Sequence, residues 1–540
     1  MNAEKQQLAF LFPDDNDVPA TLKLQPLEQR VFLDNGNLSE WKGEVTEVFS
    51  PVFTKINGLL KPLYLGSYPK MTAASVMEVL ESARNAYDLG RGEWPTMRIK
   101  DRIGRLQQFL GLMKVQRETV VKWLMLEIGK NRTDSENEFD RTIDYIVDTI
   151  EAVKNLDRQG SDLELHQGIY AQIRRGPLGV VLCMAPYNYP LNETFATLIP
   201  ALVMGNTVVF RPAKFGVLLI YPLLEAFRDS FPAGVINVIY GEGKETAGTL
   251  MESGKIDVLA FIGSSKTANI IKKQHPRPNR LRSVLGLDAK NPAIILGDAD
   301  LNVAVSECLI GALAFNGQRC TALKIIFVHR SICDEFLKLF CRKVDALKVG
   351  MPWENVSITP LPEPDKPAYI QSLIDDAISQ GANIMNEGGG QQFKSLVNPT
   401  VLYPVKHSMR IYHEEQFGPV VPVLAFDSIE EPVNYIVESN FGQQVSIFSN
   451  NADEIASLVD PLVNQVCRVN INTKSQRGPD IYPFNGRKDS AEGTLSVTDA
   501  LRVFSIRTMV ATRNNESNRA LFTEILEGRK SNFLSTDFLL

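Results

Sequence analysis

The pattern of apolar and polar residues changes at about residue 178 of the chain. Before that point, apolar residues recur at helical spacing among many charges, which predicts helices over 72–89, 97–127 and 134–156. Thr72 stands at the start of the first segment, where its side chain is placed to cap the helix. The region before residue 178 is therefore predicted to be rich in helices.

Short apolar runs after residue 178 predict strands with helices between them. The strand candidates are LGVVLCMAP, NTVVFRP, GVINVIYG, DVLAFIGSS and NPAIILGD, and the helix candidates are VLLIYPLLEAFRDS and KTANIIKKQ. Alternating strands and helices are typical of a parallel, doubly wound α/β sheet. The same pattern repeats from about residue 300, so we expect a second α/β domain.

Ligands of doubly wound sheets bind beyond the carboxyl ends of the strands. Six candidate residues follow the predicted strands, namely Asn188, Arg211, Lys214, Gly241, Gly263 and Ser264. GEGKETAG lacks the third glycine of a dinucleotide fingerprint, because Thr246 stands in its place, so a plain turn is the alternative. In FIGSSKTA, the predicted helix N-terminus is suited to hold a phosphate, and a simple capped helix is the alternative.

Composition narrows the classes of protein and partner. With 44% apolar and 22% charged residues over 540 positions, the chain has the balance of a soluble globular protein of two to four domains. A formal net charge of -6 argues against a general nucleic-acid partner. No apolar run is long and uninterrupted enough to predict a membrane span. The N-terminus lacks the pattern of a secretory signal, so we expect a cytoplasmic protein.

One cysteine stands out as a candidate nucleophile. The six cysteines contain no CxxC and the five histidines show no ligand spacing, so no metal site is predicted. In FNGQRCTALK, Cys320 directly follows Arg319. A free cysteine is often an ordinary buried residue, whereas a neighbouring cation favours the reactive thiolate. On these residues alone, both interpretations stay open.

Four motifs that follow one another along the chain bear on the choice between a core residue and a nucleophile at Cys320. They are APYNYP, RPAK, GQRC and EEQFGP. Together they resemble the aldehyde dehydrogenase superfamily over roughly residues 45–510. Within it, GQRCTALK and KSQRGPDIYPFNG are most similar to the NADP-dependent, non-phosphorylating glyceraldehyde-3-phosphate dehydrogenases. The resemblance makes Cys320 the expected nucleophile.

The resemblance implies the aldehyde dehydrogenase fold, an α/β fold with three parts. We expect a Rossmann-like coenzyme domain over 1–289, which includes an oligomerisation arm at 160–177, and a catalytic α/β domain over 290–494. An oligomerisation strand at 495–513 would complete a small β-element, and 514–540 would be a C-terminal tail. A homodimer or homotetramer is implied.

The resemblance also implies roles at the reaction centre. Cys320 would attack the aldehyde to give a thiohemiacetal, which becomes a thioester once hydride has left. Asn188 and the Cys320 N–H would stabilise the developing alkoxide. Glu415 would bind a ribose of the coenzyme, and Phe417 would lie against the nicotinamide side.

Two cations predict NADP as the coenzyme. Arg211 stands where the family usually has a lysine near the adenosine ribose. Lys214 replaces the glutamate of NAD-preferring members, which would repel a 2′-phosphate. A solvent-facing lysine without this role is the alternative.

The expected substrate is a small phosphorylated aldehyde. The phosphate-binding set of the subgroup is matched by Arg141, Tyr189, Arg319 and Arg477. The implied activity is oxidation of glyceraldehyde 3-phosphate to 3-phosphoglycerate, a reaction of glycolysis. The alternatives are a dehydrogenase for another anionic aldehyde, including a CoA-acylating one, and a weakly active member with a binding role.

The chain departs from the family at the general base. LGLDAKNP aligns with the family's ELGGK, so Gly286 stands at the position of the glutamate that activates the hydrolytic water. Asp288 lies two residues on and would point to the same face if the strand stayed extended. Asp288 is thus a candidate catalytic residue, and a turn aspartate with a structural role is the equal alternative.

Overall fold

The computed structural model describes residues 8–534 and 537–538. Residues 1–7 of the predicted coenzyme domain and residues 535–536 and 539–540 of the predicted tail lie outside this description. All later statements about the fold concern the described residues.

The helices predicted before residue 178 are confirmed, with one break. They are Ala73–Tyr87, Ile99–Val115, Arg117–Ile128 and Arg132–Gln159, and a short helix that was not predicted lies at Glu93–Thr96. Thr72 caps the first, because its side chain accepts a hydrogen bond from the Ser75 N–H. The segment predicted as one helix is two, because the chain turns tightly at Gln116, whose N–H bonds to the carbonyl of Met113.

The first sheet has eight strands, with parallel strands in its centre and antiparallel strands at both edges. In spatial order they are Ala491–Glu492, Arg282–Gly286, Val258–Ile262, Val180–Met184, Thr207–Arg211, Ile236–Val238, Val31–Asp34 and Asn37–Glu40. The strands predicted between 178 and 263 are therefore confirmed as parallel neighbours. The edge strands from both chain ends were not predicted.

The second sheet has seven strands and is parallel except at one edge. In spatial order they are Asn383–Ile384, Thr400–Tyr403, Val420–Phe426, Leu323–His329, Asn291–Ile295, Gln444–Phe448 and Arg468–Ile471. Successive side chains of a strand point to opposite faces. Ile294 accordingly packs in one core and Ala293 and Ile295 in another, so helices cover both faces.

The helices of residues 178–534 connect these strands and cover the sheets. They are Asn192–Val203, Leu224–Ser230, Thr249–Glu252, Ser265–Gln274, Leu301–Leu313, Arg330–Asp345, Lys366–Ser379, Arg410–His413, Glu430–Glu438, Ala452–Leu462, Val497–Val503 and Glu516–Glu527. The last of these lies in the predicted tail, where Phe522 is buried and packs edge-on against Tyr170.

Four small sheets complete the fold. In one of them, Ser505–Arg513 pairs antiparallel with Ile169–Pro177, which pairs with Leu163–His166, so the two predicted oligomerisation segments form one sheet. A second contains Leu27–Glu28 and the long hairpin of Val45–Ile56 and Leu59–Pro69, none of which was predicted. The other two have two strands each, Gln392–Phe393 with Leu396–Val397 and Phe441–Gly442 with Arg487–Lys488.

Within the described residues, no helix is long and apolar enough to cross a membrane. Likewise, no group of His, Cys, Asp and Glu side chains in the described part of the chain could hold a metal ion.

We expect the chain around Cys320 to depend on Gly317. Its φ is +73°, and an added Cβ would lie 2.7 Å from the carbonyl oxygen of Gly418. Gly58 is the matched control, because its φ is +77° and nothing lies within 4 Å. Gly58→Ala should cost about 1 kcal/mol through backbone strain alone. Gly317→Ala should lower the thermal unfolding midpoint clearly further, and equal shifts would contradict this steric argument.

Candidate active site

A cleft of about 920 Å³ lies at the carboxyl ends of the parallel strands. Nine of the residues singled out from the sequence line it: Asn188, Arg211, Lys214, Gly263, Ser264, Asp288, Cys320, Glu415 and Phe417. Gly286 lines it too. Gly241 and the four proposed phosphate-binding residues do not line this cleft. The carboxyl-end rule thus found five of the six residues it named on this cleft, and the resemblance supplied Asp288, Cys320, Glu415 and Phe417.

The Cys320 loop is fixed by polar contacts to its main chain. Cys320 follows a tight turn in which Phe315 and Asn316 adopt positive φ, and it precedes the strand Leu323–His329. The Cys320 carbonyl accepts hydrogen bonds from Asn291 Nδ2 at 2.8 Å and Lys324 Nζ at 2.9 Å. The side chain is partly exposed on the cleft wall. This position makes the sulfur accessible to a small molecule.

Asn188 lies against the same loop. Its Nδ2 donates to the Gln318 carbonyl at 2.9 Å, and its own carbonyl accepts from Lys130 Nζ at 2.8 Å. Within the described part of the chain, the Cys320 N–H donates to no protein acceptor. A side-chain amide and a free main-chain N–H beside one sulfur are the donors that an oxyanion needs.

Charges around Cys320 shift the pKa of its thiol in both directions. Burial raises the pKa of the Cys320 thiol, and the carboxylate of Glu415 raises it further. The positive charges of Lys324 and Arg319 oppose this rise. The pKa stays above its usual range, so Cys320 is mainly a neutral thiol at neutral pH in this state of the protein.

Lys324, which the sequence pattern did not single out, connects the two functional loops. Its side chain is 1% exposed, and its Nζ donates to the carbonyls of Arg319 and Cys320 at 2.8 and 2.9 Å. The same Nζ lies 2.8 Å from Glu415 Oε1. Lys324 belongs to the quoted GQRCTALK, so the motif contained it, but only the fold shows its contacts.

The two predicted coenzyme cations have different surroundings. Arg211 donates to Thr246 Oγ1 at 3.1 Å and to the Gly241 carbonyl at 2.8 Å. Lys214 is exposed on the cleft and forms no ion pair with any described residue. Gly241 itself has a φ of +121° and lies against Met71, so its position is explained by a close main-chain approach.

Asp288 is engaged at a helix N-terminus. Its Oδ2 accepts hydrogen bonds from the Ser265 N–H at 2.7 Å and the Ser265 hydroxyl at 2.8 Å, and Ser264 caps the same helix. The strand ends at Gly286, so the extended geometry that would place Asp288 on the same face is absent. These contacts favour the structural interpretation of Asp288, and its role as a base stays a prediction.

The predicted phosphate-binding residues form a partly neutralised cluster. Arg141 is bound by both oxygens of Asp480 at 2.7 Å. Arg477 pairs with Asp480 at 3.2 Å and with Glu193. Two arginines therefore face two carboxylates inside the protein.

Arg319 and Tyr189 lie at the other side of this cluster. Arg319 donates to the carbonyl of Gly311 at 2.9 Å, and it has no carboxylate partner among the described residues. Its buried Nε has no hydrogen-bond partner. Lys130 Nζ lies 3.6 Å from the centre of the Tyr189 ring. Burial raises the pKa of Tyr189, and the charges of Arg319 and Arg141 oppose the rise, so these groups are close neighbours.

The raised pKa of Cys320 predicts the pH dependence of its alkylation. Only the thiolate reacts, so in the coenzyme-free protein the iodoacetamide rate at Cys320 should still be rising at pH 9, the ordinary value. Peptide mapping gives the rate for this cysteine, and Cys320→Ser corrects for the other cysteines. A plateau reached below pH 8 would contradict the prediction.

Known proteins resemble this chain over most of its length. The profile of the aldehyde dehydrogenase family matches residues 53–510. The NADP-dependent glyceraldehyde-3-phosphate dehydrogenase of Arabidopsis thaliana is 32% identical over 438 residues, which cover 80% of this chain and 85% of that protein. The enzyme of the same name from Streptococcus equinus is 34% identical over 443 residues, which cover 80% of this chain and 90% of that protein.

A solved structure of an enzyme with the same name has a fold similar to that of this chain. The NADP-dependent glyceraldehyde-3-phosphate dehydrogenase of Bacillus halodurans C-125, complexed with NADP, superposes with a TM-score of 0.83 at 32% identity. The match covers 90% of this chain and 100% of that one, which confirms the predicted aldehyde dehydrogenase fold. On the matched profile and on these relatives, the chain belongs to the aldehyde dehydrogenase family.

Proposed function

We propose that the protein oxidises glyceraldehyde 3-phosphate to 3-phosphoglycerate with NADP, without inorganic phosphate. The observation that carries the proposal is Arg319, which precedes the candidate nucleophile in the sequence and whose buried Nε has no hydrogen-bond partner. A phosphate oxygen would satisfy that donor and pair the charge. The names of the Arabidopsis and Streptococcus relatives support the same substrate.

The cleft fits NADP in size and charge. Its volume of about 920 Å³ suits a dinucleotide. Lys214 supplies an unpaired positive charge for a 2′-phosphate. The helix that begins at Ser265 has its N-terminus between Ser264 and Lys266, which both line the same cleft. Glu415 and Phe417 line the same cleft, and the ribose and the nicotinamide would lie against them. When bound, NADP supplies the hydride acceptor.

The chain's own residues supply the remaining chemistry. Cys320 loses its proton and its sulfur attacks the aldehyde carbon, which gives an alkoxide that Asn188 Nδ2 and the Cys320 N–H stabilise. Asn188 Nδ2 has two hydrogens, so it has a second hydrogen for the alkoxide besides the one that it donates to the Gln318 carbonyl. Loss of hydride then leaves a thioester on Cys320, which water must cleave.

Enzymes of the aldehyde dehydrogenase family are named for different aldehydes. Retinaldehyde dehydrogenase 3 of Homo sapiens is 30% identical over 428 residues, and its name gives an uncharged substrate. The absence of a carboxyl side chain at Gly286 favours a second candidate, in which the thioester is passed to CoA. A homodimer or homotetramer is also proposed, since Ile506 and Met509 of the arm sheet are 47% and 60% exposed.

Lys214→Ala should change the coenzyme preference. It removes the free cation opposite the 2′-phosphate, so the dissociation constant for NADP should rise about tenfold or more, while that for NAD stays the same. Fluorescence titration with both coenzymes measures the ratio. Lys42→Ala, which removes an equal charge from an exposed residue that does not line the cleft, should leave the ratio unchanged. An unaltered ratio in Lys214→Ala would contradict the assignment.

Arg319→Gln should lower kcat/KM for glyceraldehyde 3-phosphate by about 10- to 100-fold, since a charged contact to phosphate is lost. The matched control is glyceraldehyde, which has no phosphate and should be oxidised at a rate that the substitution hardly changes. NADPH absorbance measures both. Equal losses for the two substrates, or wild-type preference for glyceraldehyde, would refute the phosphorylated substrate.

A further inference from the structure

The missing glutamate leaves a small cavity beside the nucleophile. Gly286 lines it together with Cys320, Gln443 and Leu495. The volume open to the centre of a water-sized sphere is about 10 Å³. That is roughly the space that one water molecule needs. A water held here would lie next to the carbon carried by the Cys320 sulfur.

A glutamate from a different element lines this cavity. Glu193 lines it, although the residue belongs to the helix Asn192–Val203 that follows the Asn188 loop. Glu193 also lines the large cleft, again with Cys320 and Gly286. The glutamate is 6% exposed, so it is a buried polar residue on the wall between the two spaces.

We propose that Glu193 is the general base that hydrolyses the thioester on Cys320, in place of the carboxylate that Gly286 lacks. The inference rests on the proposed function, since it needs a thioester that water cleaves. The small cavity favours Glu193 over Asp288 as the base, because Asp288 lines the large cleft but not the small cavity. The hydrogen bonds from Ser265 further hold Asp288 at the helix N-terminus.

The step balances without any further reactant. The Glu193 carboxylate takes one proton from water while the water oxygen bonds to the acyl carbon. The tetrahedral intermediate collapses, the carbon–sulfur bond breaks, and the thiolate of Cys320 leaves. The carboxylic acid product and Glu193 then lose their protons to solvent, and the enzyme is restored.

The pairing with Arg477 prepares Glu193 for this role. Burial lowers the pKa of the Arg477 guanidinium to about 10, so it is still charged at neutral pH. An adjacent guanidinium keeps a carboxylate ionised, which a base must be before it accepts a proton. Asp480 also pairs with Arg477 and fixes it. The guanidinium therefore positions Glu193 on the cavity wall.

Stopped-flow NADPH measurements with glyceraldehyde 3-phosphate test the proposal. Glu193→Gln should keep the first-turnover burst, since Cys320 is intact, and lower the steady rate about 100-fold, the order of a general base. Hydroxylamine, which cleaves thioesters directly, should restore turnover in this variant. Glu193→Asp keeps the charge beside Arg477 and should show the same split to a smaller degree.

The strictest test is a double variant that moves the carboxylate from position 193 to position 286. In Glu193→Gln/Gly286→Glu, a glutamate returns to the family position, and its Cβ would meet only the ends of Leu495 and Ile262 at 3.2 and 3.4 Å. The double variant should recover most of the steady rate. Asp288→Asn is the matched control, because it removes a carboxylate that lines the large cleft but not the small cavity. It should not produce a burst followed by slow turnover.

The outcomes separate this inference from the proposed function. A wild-type steady rate that persists in Glu193→Gln would overturn the role of Glu193. A stall confined to Asp288→Asn would assign the base to Asp288 instead. Wild-type turnover that requires CoA would overturn hydrolysis by any base. No NADPH at all from wild-type protein with this substrate would refute the proposed function itself.

Discussion

The buried ammonium group of Lys324 holds the active site together. Its Nζ is within 2.9 Å of the carbonyl oxygens of Arg319 and Cys320 and 2.8 Å from the carboxylate of Glu415. A buried cation is costly unless such partners surround it. The nucleophile loop and the coenzyme-side loop therefore cannot separate without leaving a charge unpaired. Lys324 also opposes the burial that raises the pKa of the Cys320 thiol.

A second group of charges shapes the substrate side. Arg141 and Arg477 are matched by Asp480 and Glu193, so this part of the pocket is close to neutral before a ligand binds. The proposed phosphate would have to share these arginines with carboxylates already present, which weakens their attraction for it. Arg319 keeps an unpartnered donor, so under the proposed function it would be the decisive contact for an anionic substrate.

The sequence predicted the parts of the fold that local pattern determines. Buried strands such as Val180–Met184 and Val258–Ile262 are short runs of apolar residues, and they lie where expected. The hairpin of Val45–Ile56 and Leu59–Pro69 was missed, because its polar, proline and glycine residues break any strict alternation. The carboxyl-end rule located Asn188 and Lys214 on the cleft without knowledge of any contact.

Contacts between distant segments explain what the sequence could not give. Glu193 sits in an apolar helical segment, and its partner Arg477 lies far along the chain, so the local pattern gives no sign of the ion pair. Asp288 looked like a substitute base because an extended strand was assumed, whereas the strand ends two residues earlier. Local spacing can place a carboxylate near a site, but its hydrogen-bond partners decide whether it faces the reacting atoms.

The central claim is that Cys320 carries the acyl group during turnover. Peptide mass mapping after an acid quench of Glu193→Gln, mixed with glyceraldehyde 3-phosphate and NADP, tests it most directly. We expect the acyl mass on the peptide that contains Cys320, dependent on NADP and absent when Cys320 is replaced by serine. NADPH formation with no adduct on this peptide, or with the adduct on another cysteine, would contradict the account.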